Sequence, residues 1–560
     1  MQAKSYIADR IKKETDVIFG VTGSAIMNMF DSFDKAGFKI INNHHEQASA
    51  MAADAYARVS GKLGVCVVTS GPGATNAITG TAGSWYDGIS VLTIAGQVPT
   101  NKLKSEKLRQ RGFQETDAIS LFKSITKMSK RIENVEEDLE KAIFLAKENR
   151  RGPVFLDLCD DIQRKEIEGK EIILPPQIPQ EKDLKIKEII ETINNSKKPV
   201  IIVGGGVESD KITKKQVTKL IDKLGIPVFL TWGAMDLLPY DHPLNCRDFG
   251  VISQRIGNFV IQNADLIISL GARLNTTSVM NDLNDLTDAK IIMVDVDEAE
   301  LEKQKTYLGI HSDLYSFSKK LETAWNEKSK WENWLKKIQD LRKEYPLPKT
   351  IPYQFIDHLS RESKEGDIII ADTGQTLTWT FQAWKTKKDQ LLFSSLNLSP
   401  MGYSLPASIG AQIASPKSQV ICLIGDGGFQ MNLQELQTVL GYKLPIKIFV
   451  LNNHGYGAIK QNQYDWSKFL KYGVACEPYM VSIKDIAKGF DNIKYVEINK
   501  EEDFSKIREV LEYDCPVICE VKIPEGTKTY PKIKAGDGYT DLTPKIDEKD
   551  KEKINMILKN

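Results

Sequence analysis

An acid and an amide stand where they could share a divalent cation. The acid is Asp426 in Gly425-Asp-Gly-Gly-Phe-Gln430, and the amide is Asn453 in Asn452-Asn-His-Gly-Tyr456, 27 positions later. Asp426 offers a hard anionic oxygen and Asn453 a neutral one. With a backbone carbonyl and diphosphate oxygens, such a set suits octahedral Mg²⁺, which prefers one or two protein carboxylates plus phosphate. Gly425, Gly427 and Gly428 would let backbone N–H groups approach phosphates at a helix start. A lone Gly-Asp-Gly is usually a turn, and Asn-Asn often ends a strand. The two together, with strand, helix and strand between them in order, are much more specific.

A second constellation could move a proton. His44-His-Glu-Gln-Ala-Ser-Ala-Met-Ala-Ala-Asp-Ala-Tyr-Ala-Arg58 places Glu46 where the chain leaves a strand and enters an Ala-rich helix. In an apolar cleft such a carboxyl group has a raised pKa and can shuttle a proton. Taken alone, it would more simply complement the helix dipole. Nearby, Thr69-Ser-Gly-Pro-Gly-Ala-Thr-Asn76 follows one strand and opens another helix.

The elements that must position these groups can be read from the pattern. Short Val/Ile-rich runs recur, including Val65–Thr69, Val91–Ala95, Val154–Leu158, Val200–Val203, Leu266–Leu270, Ile291–Val294, Ile368–Ala371, Val420–Ile424 and Ile446–Leu451. They are apolar without alternation, as strands covered on both faces should be. Helical patterns fill the gaps, with one predicted over Met431–Leu440. The fold class is α/β, built from doubly wound parallel sheets. Proline clusters at Ile173–Gln180 and Glu344–Pro352 predict connections between units. They divide the chain into 1–170, 184–340 and 350–530, followed by a tail, 531–560, that ends as a terminal helix or a frayed segment. No short-period repeat is visible. Asp426 and Asn453 then lie at the carboxyl edge of the third sheet, where ligands bind.

Composition narrows the classes further. The chain has 560 residues, with 75 Lys plus Arg against 75 Asp plus Glu. That zero balance argues against a surface built for nucleic acid or an anionic membrane. No apolar run approaches a membrane span. The first residues read as an amphipathic helix rather than a leader. Seven scattered cysteines without a paired spacing suggest reduced thiols and a cytoplasmic setting.

These segments together resemble the thiamine diphosphate (ThDP)-dependent enzymes, and among them the acetolactate synthase large subunits. The likeness is carried by HHEQASAMAADAYARVSGK, TSGPGATNAITG, AGQVP, GFQETD, GDGGFQMNLQEL and LNNHGYG. It implies ThDP and Mg²⁺ as cofactors, in a pyrimidine-binding first unit, a central unit and a diphosphate-binding third unit. Asp426, Asn453 and the carbonyl of Gly455 would bind the metal. Gly425, Gly427, Gly428 and Tyr456 would face the diphosphate, with Gln375 and Thr376 as its other contact. Glu46 would activate the aminopyrimidine, and Pro72 and Asn76 would lie in the turn packed on that ring. Thr22 and Gly23 resemble the loop over the reacting centre, with Thr22 standing where the family usually has proline. Ser399 and Met401 match the segment that props the cofactor into a bent shape. Phe113 and Gln114 match a pair beside the cofactor.

The resemblance implies decarboxylation of pyruvate or a related 2-keto acid, with transfer of the acyl-anion unit to a carbonyl acceptor. It also implies sites between subunits, hence a homodimer or a dimer of dimers, with neither nucleic acid nor membrane as partner. Departures fall on the acceptor side. Gly271-Ala-Arg-Leu-Asn-Thr-Thr-Ser278 lacks the following arginine that holds a second keto acid's carboxylate, and Ala458–Asn462 lacks a pocket-shaping tryptophan. Cys159-Asp-Asp161 replaces a Pro-Lys-Asp segment. A tail resembling proteins of surface polysaccharide synthesis makes a nucleotide keto-sugar the acceptor to consider. A decarboxylase without ligation, a true acetolactate synthase and a non-catalytic relative are the alternatives. In the middle unit, Val203-Gly-Gly-Gly-Val207, Gly271-Ala-Arg273 and Val294-Asp-Val-Asp297 leave FAD open, since related enzymes bind it there.

Overall fold

Three wholly parallel sheets form the framework. The computed structural model describes residues 1–105, 107–174, 184–280, 282–466 and 480–559. The first sheet holds β1 (Val17–Val21), β2 (Lys39–Asn42), β3 (Gly64–Val68), β4 (Val91–Gln97), β5 (Ser129–Arg131) and β6 (Val154–Cys159). The second holds β7 (Pro199–Val203), β8 (Val228–Leu230), β9 (Leu266–Leu270), β10 (Lys290–Asp295) and β11 (Leu308–His311). The third holds β12 (Ile368–Ala371), β13 (Leu391–Phe393), β14 (Val420–Gly425), β15 (Lys447–Asn452), β16 (Lys494–Ile498) and β17 (Val517–Lys522). The central strands β3, β4, β6, β9 and β15 are buried along their whole length, which is why they read as unbroken apolar runs.

The first and third sheets share one topology. Their orders are β2-β1-β3-β4-β6-β5 and β13-β12-β14-β15-β17-β16, the same sequence of first to sixth strands. The middle sheet runs β11-β10-β9-β7-β8. In each sheet the order reverses next to the first strand, which creates a crevice at the carboxyl edge.

The first and third units meet along two helices, Glu46–Ser60 and Ser404–Ala414. Small residues permit the approach: a Cβ added at Gly410 would fall 2.0 Å from the Ala52 carbonyl oxygen. A buried polar knot seals the contact. Asp54 accepts hydrogen bonds from the Tyr403 hydroxyl at 2.6 Å, from Arg58 Nε at 2.7 Å and from the Ser84 hydroxyl at 2.8 Å. Arg58 also reaches Asp87 at 2.7 Å, and Asp87 accepts the backbone N–H of Leu396. Because so much carboxylate surrounds it, the buried Arg58 guanidinium stays charged, its pKa lifted despite its desolvation.

The tail packs on the middle unit. Ile533 N–H donates to the Val251 carbonyl at 2.8 Å, Arg255 donates to the Leu542 carbonyl at 2.8 Å, and Asn258 donates to the Tyr539 carbonyl at 2.7 Å. The chain then ends in a helix, Glu548–Lys559, lying against Arg255–Asn263 and Glu332–Glu344. Most of the proline-rich stretch expected to join the first two units lies outside the described residues. One predicted helix is corrected. In place of Met431–Leu440 there is a helix at Asp426–Met431, a 3-10 turn at Leu433–Glu435 and a second helix at Leu436–Gly441. Asn432 interrupts them, donating its side-chain amide to the Gly402 carbonyl at 2.8 Å.

Candidate active site

The carboxyl edge of the third sheet gathers one cluster. Asp426 opens its helix directly after β14 and is 4% exposed. Its carboxylate accepts backbone N–H groups from Gly427 at 2.8 Å and Gly455 at 2.9 Å. Burial nonetheless raises its pKa, with those two N–H groups only partly opposing the shift. A carboxylate short of positive charge is what a cation would complete. Asn453, just past β15, donates its side-chain N–H to Gln375 Oε1 at 2.7 Å. That bond fixes the amide, and among the described residues Asn453 Oδ1 has no hydrogen-bond partner. The backbone bends sharply here, with His454 at φ +57° and Gly455 at φ +130°. Among the described residues no group of three or more His, Cys, Asp or Glu side chains could hold a metal. The donor set of Asp426, Asn453 and the Gly455 carbonyl has a single acid, so it would need phosphate oxygens to complete it, and it fits Mg²⁺ bound together with a diphosphate.

The remaining third-unit candidates surround that cluster. A Cβ at Gly427 would fall 2.4 Å from Tyr456 Cε1 and 3.4 Å from Met401 Cε, so only glycine admits both side chains. A Cβ at Gly425 would meet Thr376 Oγ1 at 3.4 Å. Ser399, at φ +55°, hydrogen-bonds Thr373 through the two hydroxyls. Gln375 holds more than the sequence suggests. Besides Asn453, it reaches Gln461 Oε1 at 3.2 Å and the Thr527 carbonyl at 2.9 Å.

Asp372 escaped the sequence reading. It directly follows β12, one residue before the Thr373-Gly-Gln-Thr376 loop, and is 1% exposed. Its oxygens accept from the backbone N–H groups of Thr373, Gly402 and Ser404, each at 3.0 Å, and from the Ser404 hydroxyl at 3.1 Å. A Cβ at Gly428 would fall 2.8 Å from Asp372 Oδ1. Asp372 therefore ties the turn carrying Met401 to the end of the third sheet's β12, and Gly428 packs close to it. An acid at the carboxyl end of a strand beside a recognised loop was the available signal.

The first unit gathers a second cluster. Glu46 is the first residue of the helix Glu46–Ser60, whose N-cap His45 accepts the Gln47 N–H. Glu46 accepts the side-chain N–H of Asn76 at 2.9 Å. Pro72 begins the short helix Pro72–Asn76 that delivers Asn76. A Cβ at Gly73 would lie 3.5 Å from Glu46 Oε1, and one at Gly23 would collide with Thr69 at 2.6 Å. The Thr69 hydroxyl is buried there without a protein partner among the described residues. Gly71, at φ +61°, touches Gln114: a Cβ there would fall 2.8 Å from the Gln114 carbonyl oxygen. Thr22 is exposed, and Phe113 is 85% exposed. The hydrogen bonds given above keep each cluster within its own unit, and none among the described residues joins Glu46 to Asp426 or Asn453.

One cluster suited to a metal and a diphosphate, and a second built around a carboxylate, on topologically matched sheets point to a cofactor-dependent α/β enzyme. The sequence comparisons name its class. Residues 1–121 match the thiamine pyrophosphate enzyme N-terminal TPP binding domain, 186–321 the central domain and 372–521 the C-terminal TPP binding domain. The acetolactate synthase isozyme 1 large subunit of Escherichia coli K12 is 32% identical over 545 residues, covering 94% of each chain. The Lactococcus lactis acetolactate synthase large subunit is 32% identical over 543 residues, covering 93% of this chain and 92% of its own. Acetolactate synthase 1, chloroplastic, of Zea mays is 31% identical over 562 residues, covering 94% and 86%. The chain belongs to the thiamine diphosphate enzyme family, in its acetolactate synthase-like branch.

Proposed function

We propose that this enzyme uses Mg²⁺-bound ThDP to decarboxylate pyruvate or a related 2-keto acid and passes the acyl-anion unit to a carbonyl acceptor. The observation that carries this reading is the third-unit cluster, a buried, charge-deficient Asp426 beside an Asn453 whose side-chain N–H is held by Gln375. ThDP, when bound, supplies a nucleophilic carbon and a stabilised carbanion. The chain's own residues do the rest. Asp426, Asn453 and the Gly455 carbonyl would hold the metal. Glu46 would hold and move a proton at the aminopyrimidine, oriented by Asn76. Gln114, beside Gly71, would orient the substrate oxygen. Since each cluster is bonded within its own unit and Phe113 is bare, we further propose that Glu46 and Phe113 of one subunit complete the third-unit cluster of another, in a homodimer or dimer of dimers.

For the acceptor, Arg273 is informative. It donates to Glu300 Oε1 at 3.0 Å and to the Tyr86 carbonyl at 2.9 Å, so its guanidinium is already engaged. Next to it, Asn275 accepts from Thr277 at 2.6 Å in a neutral turn. This segment offers a second keto acid's carboxylate no free guanidinium. A polar keto group on a nucleotide-linked sugar is therefore our acceptor of choice. The likeness to proteins named acetolactate synthase favours the second reading, in which the acceptor is another keto acid.

FAD is proposed only as an occupant of the middle unit, without a redox role. Gly205 is open at the carboxyl edge of β7, its added Cβ meeting nothing nearer than 3.6 Å, whereas Gly204 and Gly206 are packed on Ala272 and Gly271. Absorbance near 450 nm in the purified protein would report it.

The deciding experiment incubates purified protein with pyruvate, ThDP and Mg²⁺, alone and with keto acid or nucleotide keto-sugar acceptors. Branched-sugar product supports the first reading and acetolactate the second. Acetaldehyde alone, with every acceptor ignored, defeats carboligation.

A further inference from the structure

A short basic loop leads into the first-unit cluster. Between positions 102 and 111 stand Lys102, Lys104, Lys107, Arg109 and Arg111, in a chain whose overall charge is zero. The one acid in that stretch, Glu106, lies outside the described residues. Lys102, Lys107, Arg109 and Arg111 are exposed, and Lys104 is half-buried. Among the described residues none of the five side chains forms an ion pair or hydrogen bond. Lys104 and Arg111 enter the bonding pattern through their backbone N–H groups alone.

The loop is nevertheless built. Glu115, 6% exposed, accepts N–H groups from Lys104 at 2.6 Å, Arg111 at 2.8 Å and Gly112 at 3.0 Å. Burial opposes its charge, but these N–H groups together with the Lys104 charge outweigh it and hold the carboxyl below its ordinary value. Gln110 donates to the Glu115 carbonyl at 3.1 Å, and Leu108 N–H donates to the Ser105 carbonyl at 3.0 Å. Glu115 thus pinches both ends of the loop together through backbone N–H groups, and among the described residues it forms no ion pair with the cations. The pinch sits next to Gln114, whose carbonyl packs on Gly71, two steps from the Asn76 that holds Glu46. The cations therefore stand on the loop that delivers Gln114, with Arg111 three residues ahead of it.

We infer that this loop binds a phosphate group carried by the acceptor substrate, with Lys107, Arg109 and Arg111 as its principal holders. The inference rests on the carboligase reading above, and it names the class of acceptor: a carbonyl compound bearing a phosphate ester or diphosphate. A guanidinium fork matches two phosphate oxygens at once, and exposed lysines add charge without needing fixed geometry. The occupant is a small molecule rather than a polynucleotide. The excess charge is confined to one loop beside the site, and the remainder of the chain carries no net positive charge to follow a phosphate backbone.

The test uses holoenzyme saturated with ThDP and Mg²⁺, so that its own diphosphate site is filled. Uridine diphosphate (UDP), ribose 5-phosphate and ribose are titrated calorimetrically into wild type and into the triple variant K107Q/R109Q/R111Q. Binding of at least one phosphate probe is expected, with ribose silent. Its affinity should fall tenfold or more in the variant and also drop between 0.05 and 0.5 M salt. UDP tighter than ribose 5-phosphate would place the phosphate on a nucleotide, and the reverse order would place it on a simple ester. Several results would overturn the inference: no binding of either phosphate probe, equal affinity in the variant, loss of ThDP affinity together with probe affinity, or a twenty-nucleotide single strand displacing UDP at lower concentration. Failure of the carboligase reading appears separately, as absence of pyruvate turnover in wild type whatever the probes do.

Discussion

The side-chain N–H of Asn453 is held by Gln375 Oε1 at 2.7 Å, while the Gln375 amide nitrogen donates to the Thr527 carbonyl at 2.9 Å. One glutamine thereby orients a candidate metal ligand and fastens it to the segment after β17. Gln461 extends the link, accepting the Thr529 N–H at 2.9 Å and donating to the Thr529 carbonyl at 3.1 Å. Such a support matters because a ligand off by a fraction of an ångström loses much of its metal affinity.

Replacing Gln375 should separate its two bonds. Q375A removes both, so the Mg²⁺ concentration needed for half-maximal ThDP binding should rise by about 10- to 100-fold. Q375E keeps an acceptor for Asn453 but cannot donate to the Thr527 carbonyl. Its Mg²⁺ requirement should stay closer to wild type, while proteolysis after residue 522 should become faster. Equal Mg²⁺ requirements in Q375A and wild type would mean that Asn453 needs no such support.

Glu46 makes a sharper prediction, because its structural role is small. Among the described residues its side chain makes one hydrogen bond, from Asn76, which glutamine can also accept. E46Q should therefore melt within about 0.5 °C of wild type, a shift that for a chain of 560 residues corresponds to about 0.6 kcal/mol. Proton exchange at the reactive carbon of bound ThDP should slow by about 10²–10⁴-fold, the usual contribution of a positioned acid or base. Deuterium exchange followed by magnetic resonance measures this directly, and an unchanged rate would remove Glu46 from the proton path.

What could be read without coordinates were the features that repeat a local rule. Unbroken apolar runs marked nine strands, because strands covered on both faces have no polar side. The Asp426 and Asn453 segments stood out because close backbone approach demands glycine, as at Gly427 beneath Tyr456. The edge strands β2, β5 and β16 escaped, since their partly exposed residues break the pattern. The shared strand order of the first and third sheets left no repeat in the sequence, because topology constrains which strands neighbour each other and not which apolar residue fills them. Asp372 and the Asp54–Arg58 knot were hidden for a related reason. Each is a polar residue whose partners lie far along the chain, as Tyr403 does from Asp54. The predicted helix over Met431–Leu440 failed because Asn432 uses its side chain on Gly402 and breaks the helix there.

The Asp54–Arg58 knot should behave as a latch between the first and third units. Asp54 and Tyr403 are nearly inaccessible, and the Arg58 side chain, 13% exposed, bridges Asp54 to Asp87. Removing one partner of a buried charge pair typically costs about 3–5 kcal/mol, since the other is left without compensation. R58M should therefore be strongly destabilising, whereas Y403F removes a single neutral donor and should cost about 1–3 kcal/mol. Denaturant unfolding of both variants checks the ranking. If R58M were no worse than Y403F, the guanidinium would contribute by packing alone.

Asp372 ties the Met401 turn to the third sheet and gives the enzyme a pH signature. Burial pushes its carboxyl up to about 6, although the N–H groups of Ser404, Gly402 and Thr373 work in the opposite direction. An unfolded chain would release that proton near an ordinary value of 3.8. Between those two values the folded protein binds the proton more tightly than the unfolded chain does. The stability from this group is thus fully present below about pH 4 and is lost as the pH rises through about 6. In D372N that titration is absent. The variant should be less stable at every pH, because an amide has one accepting oxygen: its NH2 must face either the Thr373 and Gly402 N–H groups or the Ser404 N–H and hydroxyl, which then lose their acceptor, a loss of about 1–3 kcal/mol. On top of that, the gap between wild type and variant should be widest at acid pH and should narrow by up to about 3 kcal/mol on going from pH 4 to pH 6.5. Urea unfolding of both proteins at half-unit steps across that range measures the gap. A gap that widened with rising pH would mean that Asp372 is ionised throughout and that its hydrogen bonds, not its burial, set its proton affinity.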